Sequence, residues 1–245
     1  MYPILFYLGN FPIYSHGVMI VLGMIVGGAI TTRFLSRTIP VYETFMEVIL
    51  ASLFGGILGA RILYLLLYSN QFSSFKDMMS FWNGGMVSFG GAIGGILAAG
   101  LVLKLKKEPV LKWLDFSIFG LMIGWAIGRI GCFLNGDSVG IYTTSILAIW
   151  GRYQTALFES IWLVLISGFL YCFYQKNKNV WPSGIIFSLA IGLYGFGRFL
   201  IDFVQDEPIW FWHLRYGQIG SISTLVFAII LILVIMERER KTKIK

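Results

Sequence analysis

The sequence predicts an all-α integral membrane protein with seven transmembrane helices. Of its 245 residues, 57% are apolar and 13% are charged, whereas soluble domains carry about 25% charged residues. The mean hydropathy is +0.78, a balance that cannot coat a water-soluble surface. With no low-complexity or long polar stretch to mark a linker, we expect one polytopic membrane domain over residues 1–245.

Seven apolar runs are long enough to cross about 30 Å of hydrocarbon at about 1.5 Å per residue. They cover residues 16–35, 45–67, 86–105, 113–133, 157–175, 183–204 and 217–236. Thirteen of the nineteen basic residues lie in the first, third and fifth links and in the tail, and the other links carry one each. Because cytoplasmic segments are enriched in Lys and Arg, the amino terminus is predicted outside and the basic tail, residues 237–245, in the cytoplasm. This placement explains the net charge of +7, so no nucleic-acid partner is expected.

Glycines repeat at four-residue spacing in the first four predicted spans. The pairs are Gly23/Gly27, Gly55/Gly59, Gly91/Gly95 and Gly124/Gly128. Small residues at this spacing let two helix backbones approach closely in lipid. We therefore interpret these glycines as helix-packing faces.

Three arginines, Arg61, Arg129 and Arg198, lie inside the predicted spans. A buried Arg costs about 2.5–3.5 kcal/mol on insertion scales, so it marks a paired or water-lined functional site, the alternative being a structural ion pair. All three occur late in spans that run from inside to outside. They are therefore expected in the outward-facing half of the bilayer. The same depth is predicted for His16, Phe89, Asp137 and Glu159. The cations and carboxylates gathered at this depth indicate a polar cavity.

Residues 128–140 (GRIGCFLNGDSVG) place Arg129 at the end of an apolar span, followed by Asn135, Asp137 and glycines that include Gly140. The glycines let the backbone leave the helix and approach a ligand. Arg presents planar, bidentate donors suited to phosphate. This segment resembles the signature of the prolipoprotein diacylglyceryl transferases.

The resemblance extends over nearly the whole chain, with order and spacing preserved. Further similar segments are residues 16–20, 59–64, 82–91, 154–159, 194–202 and 217–218. The departures fall at polar positions: Phe89 stands where many members have His, Asp137 where Glu is frequent, and Gln205 where Arg is expected. The element ending in Thr155 and Glu159 has also lost a Pro, a Gln and a Tyr hydroxyl.

The resemblance implies an enzyme that transfers a diacylglyceryl group from phosphatidylglycerol to the lipobox cysteine of prolipoprotein signal peptides. It implies a multi-pass protein in the bilayer of the bacterial plasma (inner) membrane, with no cofactor and no metal. The alternatives are a divergent paralogue with altered acceptor or weak activity, a small-solute transporter, and a structural membrane protein. A transporter usually places its site near the midplane between repeated halves, and no internal repeat is evident.

We assign the phosphate and headgroup first to Arg129 and second to Arg198, because an Arg in a low-dielectric cavity stabilises a leaving phosphate well. Asp202 follows Arg198 by one helical turn and is expected to orient it, or else to form a self-neutralising pair. Tyr194 either donates to phosphate or glycerol or is an interface aromatic. The remaining substrate-binding candidates are Arg61, Asn135, Gly140 and Glu159.

Thioether formation also needs a base, because an unperturbed thiol has a pKa of about 8.5. The candidates at the right depth are Asp137, which we favour, and His16, the second choice. With Arg198 they form the predicted catalytic set. Cys132 is interpreted as a small packed side chain rather than a nucleophile.

Overall fold

The computed structural model describes residues 2–35, 42–69, 87–176, 180–211 and 213–244. Seven helices lie in these ranges: α1 Ser15–Leu35, α2 Tyr42–Leu67, α3 Ser88–Leu105, α4 Val110–Asn135, α5 Thr155–Lys176, α6 Ile185–Ile201 and α7 Tyr216–Ile244. Each overlaps one predicted apolar run. The chain divides into two compact units, one formed by Met1–Phe34 with Leu114–Lys245 and the other by Leu35–Trp113.

Among the described residues, five helices are long and apolar enough to span a membrane: α1, α2, α4, α5 and α7. The apolar stretches of the other two, Ile93–Leu105 in α3 and Ile185–Ile201 in α6, are shorter. The molecule is therefore a helical, multi-pass membrane protein.

Three short antiparallel hairpins, which the hydropathy pattern does not predict, accompany the helices. They pair β1 Ile4–Leu8 with β2 Phe11–Tyr14, β3 Ala148–Ile149 with β4 Arg152–Tyr153, and β5 Ile209–Phe211 with β6 Leu214–Arg215. The first leads into α1, the second lies between α4 and α5, and the third joins α6 to α7. The backbone of the first is tied to the end of α4, since the Tyr2 amide donates to the Leu134 carbonyl at 2.8 Å.

Within the first unit, α1 and α4 touch backbone to backbone. Gly27 packs against Gly120, and Gly23 packs against Gly124, so that a Cβ on any of them would collide with the opposite main chain. Gly128 has open space around its Cβ position, so the predicted face Gly124/Gly128 is wrong by one turn. Hydropathy does not specify the crossing point; the partner helix does.

In the second unit, α2 and α3 pack in the same way. Gly55 lies against Gly94 and Gly59 against Gly90. The predicted Gly55/Gly59 face is confirmed as a close helix contact. Gly91 and Gly95 also lie near α2, at looser spacing.

Asp115, near the start of α4, closes the amino terminus of α6. Its carboxylate accepts hydrogen bonds from the amides of Gly184 at 2.6 Å and Phe187 at 2.8 Å. A carboxylate satisfies free amides at a helix start and complements the positive end of the helix dipole. Asp115 thus caps a neighbouring helix rather than its own.

Candidate functional site

The centre of the candidate site is Glu159, whose side chain is 2% exposed. Its Oε2 lies 2.8 Å from Arg129 Nη2 and accepts a 2.6 Å hydrogen bond from Arg198 Nη1. The Tyr194 hydroxyl donates to Oε1 at 2.9 Å. Helices α4, α5 and α6 thus each bring one charged side chain to a single point.

Asp202, which follows the last residue of α6, completes the charge balance. Its Oδ1 lies 2.9 Å from Arg198 Nη2, the predicted i, i+4 pair, and its side chain is fully buried. Two arginines therefore face two carboxylates, and buried charges are tolerated only when paired in this way. We call Arg129, Glu159, Arg198 and Asp202 the charged cluster.

Asp202 is held by the start of α7. A Cβ on Gly217 would collide with the Asp202 carboxyl group, so this glycine is needed for the close approach. The Arg215 guanidinium donates to the Asp202 carbonyl, and the Arg215 amide donates to the Gln218 side chain at 3.0 Å. The third hairpin is thereby joined to the charged cluster.

The two arginines differ in their free donors. Arg198 is engaged by both carboxylates. Arg129 pairs with Glu159 alone, and its buried Nε has no hydrogen-bond partner among the described residues. Its Nη1 donates to the Cys132 sulfur at 3.7 Å, a weak contact that an oxyanion would replace. Of the two arginines, Arg129 therefore has N–H donors available for a ligand.

The signature segment turns back on itself after α4. The amides of Gly136 and Asp137 both donate to the Cys132 carbonyl at 2.9 Å, and Gly136 has a φ of +88°. This is the helix termination that glycine favours, and it returns the chain over the last helical turn. Asp137 is exposed, and one of its oxygens accepts a 2.8 Å hydrogen bond from the Asn135 amide.

His16 and Cys132 meet beside the charged cluster. The His16 Nδ1 lies 3.7 Å from the Cys132 Sγ. Helices α1 and α4 approach here because Gly131 lacks a side chain: a Cβ would lie 2.8 Å from the Cβ of Met19 and 3.3 Å from the Cα of His16. Both cysteines of the chain, Cys132 and Cys172, are free thiols.

Gly140 lies in a crowded backbone environment. A Cβ there would collide with the Val204 carbonyl and with Tyr153. Its amide donates to the Tyr153 carbonyl at 2.8 Å, and its own carbonyl accepts from Arg152 Nε at 2.8 Å. Gly140 therefore fixes the loop against the segment that follows α6.

The segment before α5 is ordered by polar contacts with its own surroundings. Thr155 donates to the Ser138 carbonyl, and Gln154 donates to the Ile149 carbonyl at 3.0 Å. Both side chains are buried.

Arg61 and Phe89 are the two remaining positions of the predicted polar cavity. Arg61 belongs to the second unit, where it is buried on α2 with its guanidinium carbon 5.6 Å from the centroid of the Tyr64 ring. The expectations for the Phe89 side chain and for residues 82–86 fall outside the described residues.

Sequence reasoning missed the ion pair of Arg152 with Asp206, the contact of Arg215 with the Asp202 carbonyl, and the approach of His16 to Cys132. From the sequence, Arg152 and Arg215 are the single basic residues of two links between predicted spans, with no indicated partner. No spacing rule links these residues, because each contact joins segments far apart in the chain.

The architecture and cluster define a multi-pass membrane protein with a buried ionic site at one end of a helix bundle. A sequence model described as prolipoprotein diacylglyceryl transferase matches residues 3–234. The chain belongs to that family.

Curated relatives that are named as this transferase match the chain over nearly their whole length. A phosphatidylglycerol–prolipoprotein diacylglyceryl transferase of Clostridium botulinum is 30% identical, over 98% of this chain and 100% of its own. The enzyme designated 1 in Clostridium perfringens is 28% identical, over 99% and 98%. A relative in Streptococcus uberis is 26% identical, over 98% and 96%.

Proposed function

We propose that this protein is a transferase that moves the diacylglyceryl group of phosphatidylglycerol to a cysteine thiol of a prolipoprotein. The supporting observation is the convergence of Arg129 and Arg198 on one buried carboxylate in a chain of this family. The relatives do not favour the transporter alternative, because they are named as transferases and match this chain over nearly their full length.

The reaction forms a carbon–sulfur bond and breaks the bond between the glyceryl carbon and its phosphate oxygen. The acceptor is the lipobox cysteine of the signal peptide, and the phosphate leaves with its headgroup as glycerol phosphate. Charge that develops on the leaving phosphate must be met by fixed donors. Arg129 supplies them first, because its Nε is unsatisfied and its Cys132 contact is weak, and Arg198 supplies them second.

Glu159 and Asp202 position the two arginines rather than react. The oxygens of Glu159 are engaged by Arg129, Arg198 and Tyr194. Tyr194 therefore contributes to headgroup binding by holding Glu159. Asn135 and Gly140 shape the signature loop, and Arg61 is proposed as a further headgroup ligand.

The thiol proton goes to the carboxylate of Asp137, with His16 as the second candidate. Asp137 is exposed and carries the hydrogen bond from Asn135 on one oxygen, which leaves the other oxygen available. An Asp137→Asn variant is expected to lose turnover most strongly at low pH, where the acceptor thiol is least ionised. A pH–rate profile that is unchanged in both Asp137→Asn and His16→Ala would remove both residues as bases.

The proposed topology has seven spans in one membrane domain of the bacterial plasma membrane, with the amino terminus outside and the basic tail inside. Ile146, in the turn that precedes the second hairpin, is 99% exposed, and Thr242 lies in the tail. An Ile146→Cys variant should gain reactivity towards an impermeant maleimide on intact cells, and Thr242→Cys only after permeabilisation. The reverse labelling pattern would show that the topology is the inverse of the one proposed.

The decisive assay mixes the purified full chain with labelled phosphatidylglycerol and a lipobox peptide. Wild type should form the thioether peptide and release glycerol phosphate. Arg129→Ala should lower kcat/KM by about 100-fold or more, the usual effect of removing a donor to a developing oxyanion. Arg240→Ala, an exposed tail residue, is the matched control and should match wild type. Absence of transfer by wild type would refute the proposed function.

A further inference from the structure

A set of soft and hard metal ligands lies at the rim of the charged cluster. The ligand atoms of His16, Cys132 and Asp137 all lie within 4.8 Å of one another. Their side chains are half-buried, half-buried and exposed, respectively, so solvent reaches the group. We call these three residues the His–Cys–Asp triad.

The spacing of the triad matches zinc coordination. Tetrahedral bonds of about 2.3 Å to sulfur and about 2.0–2.1 Å to nitrogen place the two ligand atoms about 3.6 Å apart. The His16 Nδ1 and Cys132 Sγ are 3.7 Å apart. The Asp137 ligand atom, on an exposed turn, lies within 4.8 Å of both.

The backbone holds the triad in place without any metal. Gly131 lets α1 approach α4 and sets His16 beside Cys132. The turn at Gly136 folds Asp137 back over Cys132 through the shared carbonyl. Sites built in this way lose little conformational entropy when a ligand binds.

The charges also balance. A neutral imidazole, a thiolate and a carboxylate carry two negative charges, which a divalent cation neutralises. Arg129, whose Nη1 makes the weak 3.7 Å contact with the Cys132 sulfur, has its own charge paired with Glu159. Three protein ligands leave a fourth position for water, the arrangement of open zinc sites.

We infer that a thiophilic divalent cation such as Zn²⁺ binds the His–Cys–Asp triad and inhibits the enzyme. Binding releases the Cys132 proton to solvent and ties the Asp137 carboxylate to the metal. The metal thereby withdraws the proposed base and changes the surroundings of Arg129. The inhibitory half of this inference rests on the proposed function; the binding half does not.

The first test needs no variant. The untagged, full-length wild type is alkylated with a maleimide with and without Zn²⁺, and modification of each cysteine is followed by peptide mass spectrometry. Zn²⁺ should slow alkylation of Cys132 by about 10-fold or more and leave Cys172, the exposed cysteine of α5, unchanged. Equal rates at Cys132 with and without the metal would overturn the inference.

The second test uses Co²⁺ as a spectroscopic probe. Wild type and Cys172→Ser should develop a thiolate-to-cobalt absorption band that saturates at one equivalent. Cys132→Ser should lose the band, and His16→Gln and Asp137→Asn should each weaken binding by at least about 10-fold. A band that survives Cys132→Ser, or affinity unchanged in both other variants, would overturn the assignment.

Activity separates the two claims. Zn²⁺ should inhibit lipid transfer by wild type and by Cys172→Ser, and a chelator should restore it. Transfer that is insensitive to Zn²⁺ under conditions that protect Cys132 would refute inhibition. Cys132 protection in a protein that transfers no lipid would leave the metal site standing and the proposed function refuted.

Discussion

Helices α4, α5 and α6 pack mainly through apolar side chains towards one end, where Asp115 caps α6, and through charged side chains towards the other. At the apolar end, Phe119, Leu163 and Leu170, each at most 3% exposed, belong to one hydrophobic cluster. At the ionic end, Arg129 and Arg198 share Glu159. In lipid the apolar packing depends on shape complementarity. The ionic end needs every partner, because an unpaired buried charge is strongly unfavourable.

The comparison predicts the largest effect for removing the shared charge. Glu159→Gln keeps an acceptor for Tyr194, but it removes the carboxylate that pairs with Arg129 and leaves Arg198 paired with Asp202 alone. Breaking a buried pair costs about 3–5 kcal/mol, so the free energy of unfolding in mixed micelles should fall by about this amount and transfer should be lost. Glu237→Gln changes an exposed acid, whose side chain is 67% accessible, and should match wild type in both assays. Equal stability of the two variants would show that the charged cluster does not hold the helices together.

A cavity at the apolar end should cost less. Leu163 on α5 is 1% exposed, whereas Leu165 on the same helix is 58% exposed. Leu163→Ala removes packing contacts and should lower the free energy of unfolding by about 2 kcal/mol. This is the low end for buried leucines, because lipid solvates the leucine side chain of the wild type once the helices separate. The lipid-transfer activity of the folded fraction should equal that of the wild type. Leu165→Ala is the control, and a loss of transfer in Leu163→Ala without unfolding would contradict the division into two ends.

The two ends also differ in how far the sequence predicts them. Apolar runs predicted each of the seven helices in the described ranges, because hydropathy depends on composition alone. The Arg198–Asp202 pair was predictable, because both residues lie on one helix face at i, i+4. The position of Glu159 between Arg129 and Arg198 was not, since three helices must first pack in a particular rotation.

The same limit explains the glycine faces and the hairpins. Gly120 rather than Gly128 joins Gly124 in the contact with α1, because the crossing point depends on the partner helix. The hairpin β3–β4 has two residues per strand. Strands this short cannot show the alternation of apolar and polar residues by which a strand is recognised in a sequence. Its order comes from contacts such as that of Arg152 with the Gly140 carbonyl, which join distant segments.

The smallest effect is expected for an ion pair that lies outside the buried cluster and is exposed to solvent. Asp206 pairs with Arg152, but its side chain is 54% exposed, and exposed pairs contribute about 0–1 kcal/mol. Asp206→Asn should therefore lower the free energy of unfolding by less than about 1 kcal/mol, and Arg152 keeps its bond to the Gly140 carbonyl. Asp202→Asn, four residues earlier and fully buried, makes the same chemical change beside Arg198 and should cost several times more. Chemical denaturation of the two variants measures the difference directly. Similar losses would mean that burial does not set the strength of these pairs, and the contrast between the ionic cluster and its exposed rim would fail.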